Sequence, residues 1–302
     1  MIDLHLHTTA SDGALSPSEL VHQARAAGLF IFSITDHDTT AGTEAAAADA
    51  RAAGLDLVPG IELSAVADGR DVHMLGYFID TASPRLRGFL DRQRTDRLRR
   101  VHEMGERLAA LGVPVDVAPI AADAARGRSV GRPQIAGALL AAGHVSSRDE
   151  AFDRFLESGG PAFVPRRGAR PEEVIALIHE AGGLASMAHP GVTRRDDLLP
   201  ALAAAGLDAL EARHSDHDAP TEARYRDLAR ELGILVTGGS DFHGADADHR
   251  VSALGQVTLD AADFERLRAR VGHHAAHLAF EHDFVVQPVL RGERRELVIG
   301  RR

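Results

Sequence analysis

The chain has 302 residues, 34 of them basic and 44 acidic, which gives a formal net charge of −10 at neutral pH. All of the basic residues are arginine, and the sequence contains no lysine and no cysteine but 17 histidines. Disulfides, thiolate metal sites and lysine Schiff bases are therefore excluded, so any metal site must use nitrogen and oxygen ligands.

The first predicted element is a strand that carries two histidines on one face. His5 and His7 alternate with Leu4 and Leu6, and Asp12 follows shortly after. Alternate strand residues point to the same side, so both imidazole rings can reach one ion while the leucines face the opposite way. A solvated histidine pair is the other interpretation of this pattern taken alone.

A recurring unit follows: a helical segment, a glycine, a short apolar run and then polar residues, as in ARAAGLFIFSITDHD and ARELGILVTGGSDFH. Gly28, Gly54 and Gly233 occupy the position where a helix commonly ends in a left-handed conformation. The apolar runs have the length of buried strands. Alternating helices and buried strands predict a parallel α/β sheet, closed or open.

Metal-ligand residue types recur where these predicted strands end, which is the functional edge of parallel α/β folds. With the first strand they make six histidines and three carboxylates: His5, His7, Asp12, His37, Glu62, His73, His189, Asp241 and His243. This number suits two or three ions, and the nitrogen and oxygen donors favour Mn, Fe or Zn without distinguishing among them. Such a centre would carry net positive charge, bind an oxyanion and activate water, so phosphate-ester hydrolysis is the expected chemistry.

Residues 85–165 interrupt the alternation. The stretch from Arg85 to Gly112 reads as one long charged helix with eight arginines, and shorter helical patterns follow. We predict a helical insertion at 85–165 between two parts of one α/β domain, 1–84 and 166–302. The arginine-rich helix could contact an RNA backbone, although its interleaved acidic residues favour a solvated charged helix.

Six segments resemble, in their order, the motifs of the PHP (polymerase and histidinol phosphatase) family: DLHLHT, ITDHD, GIELS, VHMLGY, AHP and GSDFHG. The resemblance implies a distorted (β/α)7 barrel with a trinuclear metal site whose ligands are the nine residues above. It further implies that Glu62 and Asp241 bridge or share ions. Within the family, three further segments are most similar to the nucleoside 3′,5′-bisphosphate phosphatase and 5′→3′ exoribonuclease branch: SVGRPQIAGALLAAG, AFDRFLESGGPAFVP and IALIHEAGGLASMAHP. Gln134 departs from the histidine that relatives often carry there.

Several residues outside the ligand set are candidates for substrate contact. Arg132 stands at a helix start, where it could clamp a phosphate or act as a cap. Arg166 and Arg167 could bind phosphate or form surface ion pairs. His214, after a predicted strand, could contact the substrate, transfer a proton or be a polar rim residue.

Two further sets have weaker interpretations. One of the two aspartates next to His37, Asp36 or Asp38, could orient that ring, and a turn-stabilising role is the alternative. The C-terminal histidines favour a partly exposed edge over a second metal site: His273, His274, His277 and His282.

These patterns predict a metal-dependent phosphoesterase that releases phosphate from small nucleotides through a metal-activated hydroxide. The substrate would be a 3′,5′-bisphosphate, a mononucleotide or the 5′ end of short RNA. Asp241, His243 and His214 are the expected catalytic residues, and Arg132, Arg166 and His214 the expected substrate contacts. The alternatives are a histidinol-phosphate-type or other small-molecule phosphatase, and a non-catalytic metal-binding or RNA-binding module.

No apolar run approaches the ~18 residues that span a bilayer, and the N-terminal residues lack the basic flank and apolar core of a signal peptide. We therefore expect a cytoplasmic protein without a membrane segment, and we infer no obligate protein partner.

Overall fold

The protein is described here from a computed structural model, which covers the backbone of residues 1–244, 253–282, 284–291 and 294–301 and the side chains of 1–244 and 253–271. Seven strands form one sheet in which each strand pairs with the next along the chain. They are β1 (Ile2–Leu6), β2 (Ile31–Ile34), β3 (Asp56–Ala67), β4 (Arg70–Tyr77), β5 (Leu184–Met187), β6 (Ala209–Arg213) and β7 (Leu235–Gly238). The described C-terminal segments add a hairpin of β8 (Phe284–Arg291) and β9 (Arg294–Arg301).

The sheet curls until its first and last strands meet. A bridge joins Leu6 to Phe242, just after β7, and the His7 backbone N–H donates to the Phe242 carbonyl at 3.0 Å. This nearly closed barrel confirms the predicted distorted (β/α)7 fold.

One strand departs from the parallel sheet that the repeated unit predicts. β4 runs antiparallel to both of its neighbours, β3 and β5, whereas the other neighbouring pairs of the seven-stranded sheet are parallel. The cause is local, because β3 and β4 are joined by the two residues Asp68 and Gly69, which leave no room for a crossover helix. Both residues have positive φ, 50° and 74°, as tight hairpin turns require.

The helices are α1 (Pro17–Ala26), α2 (Ala41–Ala53), α3 (Pro84–Ala110), α4 (Ala118–Ala125), α5 (Arg132–Ala141), α6 (Arg148–Ala151), α7 (Pro171–Glu180), α8 (Pro190–Thr193), α9 (Leu199–Ala204), α10 (Ala219–Leu232) and α11 (Ala261–His282). Helix α1 begins with a capping box in which Glu19 accepts from the Ser16 backbone N–H at 2.8 Å, and helices α2 and α10 end at Gly54 and Gly233, both left-handed. Among the described residues, no helix is both long and apolar enough to cross a membrane.

The barrel packs its apolar strand faces against the surrounding helices. Leu4 of β1 lies in a cluster with Phe264 and Leu267 of α11, and Leu6 packs with Leu20 of α1. The opposite face of β1 therefore carries its polar residues, which are fully buried as well. A barrel with a polar interior next to its strand ends can hold a charged site.

Helices α3 to α6 build a second core beyond the barrel. The C-terminal half of α3 contributes Val101 and Leu108 to this core, where they join Ile135 and Leu139 of α5. The N-terminal half of α3 packs instead against the barrel core through Leu86. Helix α3 thus belongs to both units, and the boundaries at 84/85 and 165/166 stay a prediction.

Candidate metal centre

All nine candidate ligands come together in one cluster where the parallel strands end. At its middle, His5 of β1 and His7, which directly follows this strand, turn their Nε2 atoms toward two carboxylates. Glu62 Oε2 lies 3.3 Å from both nitrogens, and Asp241 Oδ1 lies 3.2 Å from His5 and 3.1 Å from His7. Donor atoms about 2 Å from a shared ion lie roughly 3–3.5 Å apart, so these four side chains are spaced for one ion.

Two further groups of donors flank this one. Asp12 lies 3.7 Å from His7 Nδ1, 3.8 Å from His37 Nε2 and 3.4 Å from His243 Nε2. On the other side, Glu62 Oε1 lies 2.9 Å from His73 Nδ1 and 3.1 Å from His189 Nε2.

Glu62 is the residue that the groups share. Its second oxygen, Oε2, also lies 3.1 Å from His37 Nδ1. One carboxylate therefore faces five imidazole rings, which fits the bridging role that the resemblance implies for it.

The donor set fits metal ions because several of its atoms have no other partner. Five buried atoms make no hydrogen bond within the described residues: His7 Nδ1, His7 Nε2, Asp12 Oδ1, His37 Nδ1 and His73 Nδ1. Buried polar atoms are nearly always satisfied in folded proteins. Unsatisfied nitrogen and oxygen donors converging on shared points are what a divalent cation requires.

The charges of the cluster point the same way. Burial alone would raise the pKa of Glu62, but His37, His73 and His5 hold it well below its usual range. Burial lowers the pKa of His37 to about 3. For His7 burial is outweighed, and the neighbouring Asp241 and Glu62 carboxylates raise its pKa to about 10. In the absence of metal, protonated histidines thus compensate the negative charge of the carboxylates, and bound cations would compensate it instead.

Two of the predicted substrate-contact arginines line a cavity next to the donor cluster. This cavity of about 430 Å³ is lined by ligand candidates on the barrel side and by Arg132 and Arg166 on the insertion side. Arg132 Nη2 lies 3.3 Å from Asp71 Oδ2, and Arg166 Nη1 lies 3.2 Å from Asp38 Oδ2. Arg167 lines a different groove, between α3 and α7, so it is not at this site.

Other predicted residues have supporting positions. His214 Nε2 lies 3.3 Å from Asp241 Oδ2, at the edge of the cluster. Asp36 accepts hydrogen bonds of 2.7 Å from Thr8 and Ser11, which fixes the loop that carries Asp12.

Gln134 and the C-terminal histidines are the remaining residues that the sequence analysis singled out. The Gln134 side chain accepts from the Gly131 backbone N–H and donates to the Ser11 carbonyl, so it caps α5 and does not line the cavity. The predicted second histidine cluster, His273 to His282, lies outside the residues whose side chains the structure describes.

Several residues at the site were not predicted from the sequence, among them two arginines and a glutamate. Arg97 and Arg100 of α3 line the cavity although their helix reads as solvated. Glu211 of β6 is fully buried beside His5 and His189. Burial alone would raise the pKa of Glu211, but His5 lowers it, so this carboxylate is charged. The only available signal was a charged residue inside the apolar pattern of ALEARH.

Comparison with known proteins bears on this site. A family model described as the PHP domain matches residues 3–155. The chain is 36% identical over 248 residues to the 5′-3′ exoribonuclease of Haemophilus influenzae, across 80% of this chain and 89% of that protein. It is 34% identical over 260 residues to the 3′,5′-nucleoside bisphosphate phosphatase of Chromobacterium violaceum, across 82% and 90%. A solved metal-dependent phosphoesterase of Bifidobacterium adolescentis superposes with a TM-score of 0.80 at 36% identity, covering 89% of this chain and 96% of that one.

Proposed function

Because this chain belongs to the PHP domain family and is a metal-dependent phosphoesterase, we propose that it removes phosphate from small nucleotides that carry a second phosphate group. A nucleoside 3′,5′-bisphosphate is the preferred candidate, followed by the 5′ end of short RNA. The observation that carries this proposal is the cavity that joins the nine-donor cluster to a group of buried arginines.

The donor cluster accounts for the reacting phosphate. The nine donors would hold two or three divalent ions, and Mn, Fe and Zn all suit such ligands. When bound, such ions lower the pKa of water and offset the negative charge of phosphate oxygens. The number and identity of the ions stay predictions, as do the ligand roles of the nine residues.

The arginines account for a second phosphate. Among the described residues, five guanidinium groups line this part of the cavity and three carboxylates lie beside them, so its net charge is positive. The arginines are Arg97, Arg100, Arg132, Arg148 and Arg166, and the carboxylates are those of Asp38, Asp71 and Asp149. Nη2 of Arg100 is buried and has no hydrogen-bond partner among the described residues. Burial, together with the nearby Arg166, lowers the pKa of Arg100 to about 9. An anion in the cavity would relieve both costs.

A substrate with two phosphates fits this division better than a mononucleotide does. One phosphate would lie at the metal cluster, where its ester bond is broken, and the other at the arginines, where it is only bound. Relatives named as a bisphosphate phosphatase and an exoribonuclease support this choice, because each acts on a nucleic-acid component with more than one phosphate.

We propose that His214 acts by holding Asp241, and that solvent protonates the leaving oxygen. His214 Nδ1 accepts a hydrogen bond of 3.0 Å from the Asp216 backbone N–H, so in the neutral ring the proton lies on Nε2. That nitrogen faces Asp241 at the edge of the cluster. Asp241 and His243 act in this proposal by holding metal, so their catalytic role is indirect.

A substrate panel tests the proposal. Metal-loaded chain should hydrolyse adenosine 3′,5′-bisphosphate with a higher kcat/KM than 5′-AMP, 3′-AMP or histidinol phosphate, and R100M should lose most of that preference. R94M is the matched control, since Arg94 lies on the same helix but pairs with Asp91 on its exposed side. Equal rates for bisphosphate and histidinol phosphate would favour the small-molecule phosphatase alternative.

The hydrolase prediction is confirmed by the relatives, which leaves the non-catalytic alternative without support. A cytoplasmic location and the lack of an obligate protein partner stay predictions from the sequence.

A further inference from the structure

Glu211 connects two of the candidate ligands from inside the barrel. Its Oε1 atom lies 2.9 Å from His5 Nδ1, and its Oε2 atom accepts the backbone N–H of His189 at 2.7 Å. The side chain is fully buried, and His5 and His189 come from distant parts of the chain.

The first contact determines which nitrogen of His5 can bind an ion. A carboxylate only accepts hydrogen bonds, so His5 Nδ1 must carry the proton that Glu211 receives. The other nitrogen, Nε2, faces Glu62 and Asp241 at 3.3 and 3.2 Å. With Nδ1 protonated, the neutral ring presents its lone pair at Nε2, toward the candidate ion site.

The second contact holds an unfavourable backbone conformation. His189 has φ 26° and ψ 61°, outside the regions that a residue with a side chain readily adopts. The hydrogen bond to Glu211 satisfies its amide in this conformation, and the ring then reaches Glu62 with Nε2 at 3.1 Å.

We propose that Glu211 is a positioning residue that sets the tautomer of His5 and the backbone conformation of His189. It would thereby orient one side chain of β1 and one that follows β5 toward the same metal centre. The inference rests on the proposed ligand set. His5, Glu211 and His214 could also be grouped as a further ion site. However, both Glu211 oxygens and His214 Nδ1 already accept hydrogen bonds, so this group supports the centre instead of binding an ion of its own.

The isosteric variant E211Q tests the first part of the proposal. An amide has one acceptor oxygen, so the substituted side chain could accept from either His5 or His189 but not from both, and an NH2 group facing His5 would favour the wrong tautomer. Calorimetric titration of the metal-stripped full chain with Mn²⁺ should show about 10–100-fold weaker binding for E211Q. Saturating Mn²⁺ should restore most of kcat.

Asp208, which directly precedes the strand that carries Glu211, provides a matched control. It is also buried, lies 2.7 Å from His179 Nε2 and accepts a backbone N–H, that of Ala185, at 2.9 Å, but it does not line the cavity. D208N should therefore lower the Tm of the metal-stripped chain while leaving Mn²⁺ affinity within about twofold of the native chain. A merely structural role of Glu211 would make both variants behave alike.

Unchanged Mn²⁺ affinity in E211Q overturns the proposal. If E211Q does not fold, nitrogen NMR of the Zn²⁺-loaded native chain decides, because a His5 ring with its proton on Nε2 contradicts the proposal and one with its proton on Nδ1 supports it. The substrate panel is independent of these readouts. A chain that hydrolyses nucleotides while E211Q keeps full Mn²⁺ affinity refutes only the role of Glu211.

Discussion

Asp38 joins the metal cluster to the arginines that line the cavity. It directly follows His37, and its Oδ2 atom accepts from Arg97 at 2.8 and 2.6 Å and from Arg166 at 3.2 Å. Its Oδ1 atom accepts the Ser64 backbone N–H at 2.9 Å. Burial would raise the pKa of Asp38, but Arg97 and Arg166 lower it to about 2. One carboxylate therefore fixes two guanidinium groups at the wall.

D38N should lower both stability and substrate affinity. The variant leaves two buried guanidinium groups without their shared charge, and breaking a buried pair in this way costs about 3–5 kcal/mol. Urea unfolding measures the loss of free energy, and KM for the bisphosphate should rise. D68N is the control, because Asp68 pairs with Arg195 on the surface, where a pair contributes less than about 1 kcal/mol. Similar losses in the two variants would contradict this role of Asp38.

H7A should remove metal and activity together. His7 Nε2 lies within 3.3 Å of both Glu62 and Asp241, so its loss opens the central donor group. We expect kcat/KM to fall by more than the roughly 10–100-fold that loss of an outer partner costs. Mass spectrometry of the purified chain should find less bound metal. H22A, which alters an exposed histidine of α1, should change neither quantity.

Single residues also show how far the sequence could go. His5 and His7 were predictable because strand alternation places them on one face, and their ligand spacing is local. The partner of His5 on the other side, Glu211, is 206 residues away and belongs to a strand whose inward face only the closed barrel defines. Arg97 and Arg100 look like their exposed neighbours, because their burial depends on the packing of the insertion.

The approach of β7 to β1 depends on a glycine. A methyl group at Gly239 would lie 2.4 Å from both the backbone nitrogen and Cβ of His5, closer than atoms can pack. The lack of a side chain at Gly239 therefore allows the barrel to close tightly beside a candidate ligand.

G239A should lower the free energy of unfolding by about 1–3 kcal/mol, the usual cost of overpacking, and should weaken Mn²⁺ binding by displacing His5. Thermal unfolding and calorimetry measure the two effects. G88A is the control: it adds the same methyl on α3, where the nearest atom, Arg92 Nη1, lies 3.9 Å away and alanine should stabilise the helix by roughly 0.5–1 kcal/mol. Equal behaviour of both variants would show that β7 and β1 can separate at no cost.

The β3–β4 hairpin was within reach of the sequence. Asp68-Gly69 between two strand-like segments is a strong hairpin signal, but the helix-and-strand repeat on either side favoured a uniform parallel sheet. The arginines of α3 were also misleading as a group. Arg94 pairs with Asp91 on the exposed side of the helix, whereas Arg97 and Arg100 are buried and line the cavity, so one helix carries a solvated face and a face toward the candidate site.

The whole site is assembled from both parts of the barrel and from the insertion. The ligand candidates extend from residue 5 to residue 243, and the insertion contacts the loop that carries Asp12. Arg128 Nε donates to the Thr9 carbonyl at 2.6 Å, and the Ser129 backbone N–H donates to the Ala10 carbonyl at 2.8 Å. The insertion and the barrel should therefore unfold together, and metal binding should stabilise both.

Metal removal should reveal this coupling. Without cations, the carboxylates Asp12, Glu62 and Asp241 rely on charged histidines for compensation. A ligand at 100 times its Kd adds about 2.7 kcal/mol, so Mn²⁺ should raise Tm by roughly 4 °C over the chain in EDTA. Differential scanning calorimetry measures the shift, and H7A should show a smaller one. The same Tm with EDTA and with Mn²⁺ would mean that the centre is stable without ions.

The reversed strand β4 has a consequence for the shape of the enzyme. Its last residue, Tyr77, pairs with Leu184 at the start of β5, so the chain leaves the sheet at the end away from the metal centre. To contribute to the site, the chain must return along the full height of the barrel. Helix α3, with 27 residues and a length of about 40 Å, spans this distance. Leu86 anchors it below and Arg97 reaches Asp38 above. Because one strand is inverted, the segment that follows it places Arg97 and Arg100 at the cavity beside the candidate metal centre.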